Sequence, residues 1–218
     1  MGRKKMEETP GIFKTEKREV TIELVTPMLG TVPKNEGVYA RHVLAKSDAL
    51  METNKAEELA TVESIEEKGW TGYHRDDDGI FVYDYIIRGN IKSGIEAGMQ
   101  NGVIPKIVAY KKWVDRMVFV EPRRIRFENK PEPDDVLERP LRAMTAQGPR
   151  VSVVRSDIVN EGTRMTFSIE LLHQKGTKKS SGITWATIET ALTYGKYYGL
   201  GQWRGSGGYG RYRVVETK

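Results

Sequence analysis

The sequence predicts an α+β protein, an antiparallel sheet with helices on one face and a β-ribbon inserted in its middle. Three observations lead there. Strict alternation of apolar and polar residues marks "REVTIELV" near the start and "TRMTFSIELLH" near the end, the period of half-buried strands. Helical spacing appears in "GITWATIETALTYG", where Ile188, Ala191, Leu192 and Gly195 fall at i, i+3, i+4 and i+7. Between these ends lies a proline-punctuated, basic middle with only short strand-like runs.

In order along the chain, residues 1–16 read as a flexible arm and 17–218 as one domain, with the inserted basic ribbon at about 103–160. Val20, Ile22 and Leu24 alternate with Thr21 and Glu23 in the first strand, 18–26, which stops near Pro27. "NEGVYARHVLAKS", with Val38, Val43 and Leu44, and "KAEELATVESIEEKG", with Leu59, Val62 and Ile65 before Gly69, predict two helices. "DDDG" predicts a turn before a strand at 80–88, and Asn90 a cap opening the helix of "NIKSGIEAGMQNG". In the middle, Val118 and Val120, Ile125 and Phe127, and Val151 and Val153 predict three short strands. Prolines 122, 131, 133, 140 and 149 argue against long regular structure there. A strand at 163–172, a polar loop at 175–181, a helix at 183–198, a glycine loop and a strand at 210–216 complete the order.

Composition narrows the chemistry. Lysine and arginine exceed aspartate and glutamate, 35 to 30, for a formal charge of +5, which suits contact with phosphate without proving it. With no cysteine, disulfides, thiolate metal sites and cysteine nucleophiles are excluded. No apolar run reaches the ~20 residues of a bilayer span, and the basic leader lacks the apolar region of a secretory signal, so no membrane and a cytoplasmic location are expected.

The segment "GLGQWRGSGGYGR" carries the sharpest signal. Glycine loses more backbone freedom on folding than any other residue, so Gly199, Gly201, Gly205, Gly207, Gly208 and Gly210 need a positive φ or a close backbone approach to justify them. Unshielded N–H groups in such a loop make an anion-binding concavity. Arg204, Arg211 and Arg213 add fork-shaped donors beside Gln202, and Trp203, Tyr209 and Tyr212 offer stacking faces for bases. The plainer alternative is a structural loop whose aromatics pack on its own helix. A P-loop is excluded because no Gly-Lys-Ser/Thr occurs, and a dinucleotide fingerprint because no strand precedes the glycines.

A second cluster, "ERPLRAMTAQGPRVSVVRSD", places Arg139, Arg142, Arg150 and Arg155 on a ribbon able to meet phosphate, or else to pair with Glu138 and Asp157. His42, His74 and His173 lack the spacing of metal ligands, and a solvated or core-satisfied role is expected of each. "HRDDDG" lacks the alternate spacing of a calcium loop and reads as a turn. No metal or other cofactor is expected.

Strand 163–172, helix 183–198, the loop "GLGQWRGSGGYG" and strand 210–216, with the early strand 18–26, resemble the RAMP superfamily of CRISPR-associated RNA-binding proteins. The resemblance covers mostly the two ends of the chain. It implies a ferredoxin-like, RRM-like fold whose glycine-rich loop, between the last helix and last strand, touches RNA. "LVTPMLGTVP", "ERPLRAMTAQGPRV" and "GLGQWRGSGGYGR" also resemble an uncharacterised family of bacteriophage-encoded proteins, which implies a phage or phage-infected bacterial setting and supplies no activity.

The expectation is a protein that binds single-stranded RNA or a nucleotide ligand through the loop and arginines, alone, as a homo-oligomer or with other RAMP-type subunits. Two alternatives stand beside it. In repeat-cleaving RAMP members a histidine in the region of His42 often serves as general base, which would make this a metal-independent endoribonuclease. The other is a phage counter-defence protein that sequesters a signalling nucleotide or mimics a RAMP subunit.

Overall fold

The alternation near both termini builds one sheet. Val20, Ile22 and Leu24 of β1 (Thr15–Leu24) are buried, as are Met165, Phe167, Ile169 and Leu171 of β11 (Arg164–Leu172). The two strands run antiparallel, with Val20 opposite Phe167. On the other side of β1 lies β12 (Tyr212–Thr217), and β7 (Val118–Glu121) flanks β11, for a strand order β12-β1-β11-β7. The structure, a computed structural model, describes residues 13–42, 52–63, 69–145, 148–172 and 182–218; the side chains of 42, 143–145 and 150 and the expectations for 1–12, Val43, Leu44, Ile65, His173 and 175–181 lie outside it. Thr15 and Glu16, expected in the arm, already pair with Leu172 and Leu171.

Three helices share the core with this sheet: α3 (Asp84–Gln100), α4 (Tyr110–Met117) and α5 (Trp185–Thr193). Ile87, Ile91 and Ile95 recur every four residues along α3 and are buried, as are Ile188 and Leu192 of α5. α3 and α5 cross closely at Gly94, where a Cβ would collide with the Ala191 carbonyl. Thr184 caps α5: its Oγ1 accepts the Thr187 N–H at 3.2 Å, and Thr187 Oγ1 accepts the Thr184 N–H in return. α5 is shorter than the 183–198 expected, because a 3-10 turn at Tyr194–Lys196 brings the chain over β12 at Gly195.

The remaining strands form a five-stranded and a three-stranded sheet. β9 (Asp135–Thr145) and β10 (Gly148–Val159) make a long hairpin, and β10 also pairs with β2 (Met28–Leu29) and, in parallel, with β4 (Trp70–Gly72), which pairs with β3 (Val32–Pro33). β5 (His74–Asp76), β6 (Gly79–Tyr83) and β8 (Arg124–Arg126) complete the third. With α1 (Glu36–His42) and α2 (Glu52–Ala60), the described residues form a mixed α+β structure of mainly antiparallel sheets and five helices.

Several expectations in the middle of the chain are corrected. The prolines do not forbid regular structure: Pro140 sits within β9 opposite Val153, tolerated because β9 pairs with β10 alone and its other edge needs no N–H donor. β7, placed by the sequence within the inserted region, is a strand of the four-stranded sheet because Val118 and Val120 bury into its core. The strand expected at 80–88 ends at Tyr83, and α3 begins at Asp84, so Asn90 is a buried mid-helix residue and not a cap. No helix among the described residues is long and apolar enough to cross a membrane.

Candidate functional site at the glycine-rich loop

The loop from Gly199 to Arg211 is folded onto the body and internally bonded. Gly199, Gly201, Gly205, Gly208 and Gly210 all have positive φ. At Gly199 and Gly201 an added Cβ would also lie 2.5 Å from a backbone oxygen, of Tyr209 and Leu29 respectively, and at Gly210 it would collide with the Leu200 carbonyl. Gly207 has no positive φ; its hydrogen faces the Trp203 Cβ. The glycines are thus required by the fold of the loop itself.

That fold consumes most of the donors the sequence offered as an anion cradle. Leu200 N–H donates to Gly210 O at 2.8 Å, Gln202 N–H to Leu29 O at 3.1 Å, Gly205 N–H to Tyr198 O at 2.7 Å, Gly208 N–H to Gly205 O at 3.0 Å and Gly210 N–H to Pro27 O at 2.8 Å. Thr26 Oγ1 donates to Gly208 O and accepts the Arg211 N–H, both at 2.9 Å. From α3, the Asn90 amide donates to Gly199 O at 2.9 Å and its oxygen accepts the Tyr212 hydroxyl at 2.6 Å. Within the described loop, the N–H groups without a partner are those of Gly201 and, at the outer tip, Trp203, Arg204, Ser206 and Gly207.

The tip also gathers cations and rings. The Arg139 guanidinium from β9 lies 4.3 Å from the centre of the Trp203 ring, and that of Arg204 lies 5.5 Å from Tyr198 while donating to Gly201 O at 2.9 Å. Lys196 Nζ sits 4.9 Å from Tyr197. Trp203 itself holds φ 51°, a left-handed conformation that costs a bulky L-residue energy and marks the tip as strained. Tyr209 is tilted against Trp203, with ring centres 6.3 Å apart.

Most cations on the strands are ion-paired. Arg124 and Arg126 on β8 are ion-paired with Asp76, whose carboxyl they hold down to about 2, and Arg75 is paired with Glu132. Arg155 pairs with Glu138 at 2.6 Å, and Asp157 takes Lys34 at 2.9 Å. Arg213, expected among the phosphate donors, is bound to Glu23 at 2.6 Å. Arg139, Arg142, Lys196, Arg204 and Arg211 have no carboxylate partner among the described residues, and neither do Arg41 of α1, Lys106, or Lys111, Lys112 and Arg116 of α4.

The structure brings only part of the expected set together. Arg139 reaches the loop, whereas Arg142, three residues along the same strand, falls on the opposite face of the ribbon. The Arg150 side chain lies outside the described residues. Tyr212 is buried and bonded to Asn90, so it is no stacking face. Gln202 bridges loop and ribbon: its Oε1 accepts from Thr71 Oγ1 and Ser156 Oγ, each at 2.9 Å. Thr71, Ser156 and Trp70 have no local motif that would have singled them out.

His42 is the last residue of α1, and its side chain lies outside the described residues. α1 buries Tyr39 in a separate small cluster with Val32 and Val62, whereas α3 and α4, which also lie between β1 and β7, pack in the core of the main sheet. His74 is a core-satisfied histidine: its ring nitrogens face Thr61 Oγ1 at 2.9 Å and the Tyr39 hydroxyl at 3.4 Å, and burial pushes its pKa down to about 3. Beside it, Glu58 accepts from Tyr39 at 3.0 Å and Arg123 at 3.3 Å, a buried carboxyl raised above its ordinary value by desolvation. Asp76 to Gly79 is a tight turn between β5 and β6, as "HRDDDG" suggested.

No protein-family model matches the chain, and comparison with curated proteins gives no match.

Proposed function

We propose that the protein binds single-stranded RNA or another phosphate-bearing nucleotide ligand at the tip of the glycine-rich loop. The observation that carries this reading is the set of cations gathered with rings at the loop: most cations on the strands are neutralised by carboxylates, while Arg139, Arg204 and Arg211 around the loop are not and two of them stack on aromatic rings. An unpaired guanidinium held over a ring is pre-oriented for a phosphate, because its planar fork loses little freedom on forming the hydrogen bonds. In this reading Arg139 and Arg204 grip phosphate, the free N–H groups at the tip assist, and Trp203 or Tyr209 stacks on a base.

A ferredoxin-like core of the RAMP type is part of the same proposal. Its support is the strand order β12-β1-β11-β7 with α3 and α4 among the elements between β1 and β7 and α5 between β11 and β12; counting only the elements of this sheet's core, that is a βαββαβ order whose last connection carries the glycine loop. Titration calorimetry with an eight-nucleotide single-stranded RNA tests it. Arg204→Ala and Arg139→Ala should each weaken binding by about 1.5–3 kcal/mol, the range for hydrogen bonds to charged groups, with little change in melting temperature. Unaltered affinity in both variants would refute the site.

A further inference from the structure

We propose that the groove between the loop and the β9–β10 ribbon is a subsite for one unpaired nucleobase, read by the side-chain amide of Gln202 through a base carbonyl; this rests on the nucleotide-binding reading above. The groove has a volume of about 230 Å³ and is walled by Trp70, Trp203, Leu141 and Val154, with Thr71, Ser156 and Gln202 as its polar groups. That is room for a single planar base.

The hydrogen bonds fix what the groove can read. Gln202 Oε1 accepts from Thr71 Oγ1 and Ser156 Oγ, and these two hydroxyls lie 2.9 Å from each other. The oxygen of the amide is therefore fully engaged, while its nitrogen, with two N–H donors, has no partner among the described residues. A half-buried donor without an acceptor in an aromatic-walled groove favours a ligand that brings a hydrogen-bond acceptor. The subsite is assigned to a carbonyl oxygen, which the small ring of uracil offers twice and adenine, whose acceptors are ring nitrogens, does not. Trp203, held strained at φ 51° with Arg139 over its ring, stands at the mouth where the sugar-phosphate attached to that base would pass the unpaired guanidinium.

Fluorescence anisotropy with labelled octauridine, octaadenosine and an abasic ribose-phosphate octamer tests this, using the parent, Gln202→Met and Gln202→Glu. The glutamate retains an oxygen for both hydroxyls and so preserves the local fold, and it replaces the donor by an acceptor. The parent should bind octauridine about tenfold or more tightly than the abasic octamer and than octaadenosine. Gln202→Met should lower that uridine-to-abasic ratio by about tenfold, the size of one hydrogen bond. Gln202→Glu should weaken every oligomer through its charge and also collapse the ratio. Equal binding of octauridine and the abasic octamer by the parent, or an unchanged ratio in both variants, overturns the base subsite while leaving the phosphate grip intact. Failure of all three oligomers to bind overturns the nucleotide-binding reading and this subsite with it.

Discussion

Gly208→Ala and Gly210→Ala separate the two uses a loop has for glycine. Both residues have similar positive φ, 78° and 67°. At Gly208 the nearest group to an added Cβ is the Arg211 guanidinium at 3.8 Å, so alanine incurs only the left-handed backbone cost, ~1–2 kcal/mol. At Gly210 the Cβ would meet the Leu200 carbonyl, and relief means moving a segment tied by Leu200 N–H to Gly210 O and Gly210 N–H to Pro27 O, each 2.8 Å. Adding two hydrogen bonds at ~0.5–1.5 kcal/mol each to the φ cost gives about 2–5 kcal/mol. Urea denaturation of both variants at neutral pH, compared at constant m, measures the difference. Two equally stable variants would refute the claim that close backbone packing at Gly210 holds the loop.

Other outcomes follow from the core, the buried histidine and the ribbon. Phe167→Ala should cost about 3–5 kcal/mol in the same assay, since the ring is fully buried between β1 and the helices. His74 has a folded pKa of about 3 against 6.5 when unfolded, so its contribution is complete above pH 6.5 and is lost as pH falls, by ~1.4 kcal/mol per pH unit. Between pH 6.5 and 5 that is about 2 kcal/mol. The raised Glu58 acts in the opposite sense as pH falls, so the test is the stability difference between parent and His74→Gln across this window, and a difference independent of pH refutes it. On the ribbon, Arg142→Ala should leave RNA affinity within about 0.5 kcal/mol of the parent, while Arg139→Ala weakens it, because the two residues project from opposite faces of β9. Equal losses would place both faces in the interface.

Local periodicity carried the legible part of the structure. Met165, Phe167, Ile169 and Leu171 alternate and bury as read, and Ile188 and Leu192 face the core at their helical spacing. Asn90 was misread because the β-branched and aromatic run 80–87 looks like a strand to its end; the four-residue recurrence of Ile87, Ile91 and Ile95 was the available signal for a helix begun at Asp84. Pro140 misled because a proline rule written for central strands does not hold at an edge. Within the site, the glycines, Arg204 and Trp203 were visible in one short stretch. The contacts of Gln202 with Thr71 and Ser156, and of Asn90 with Gly199 and Tyr212, join distant parts of the chain and leave no local pattern. The spent N–H groups were invisible for the same reason, since their acceptors include Leu29 and Pro27.

The measurement that bears most directly on the central claim is the salt dependence of single-stranded RNA binding by the parent and by an Arg139→Ala, Arg204→Ala double variant. Each phosphate contact on a single strand adds about −0.7 to the slope of log K against log salt concentration. The parent should therefore bind more weakly as salt rises, and the double variant should show a slope shallower by about 1.4, the share of two phosphate contacts. A parent that binds no RNA at low salt, or a double variant with the parent's affinity and slope, would contradict the assignment of the glycine-rich loop as a phosphate grip.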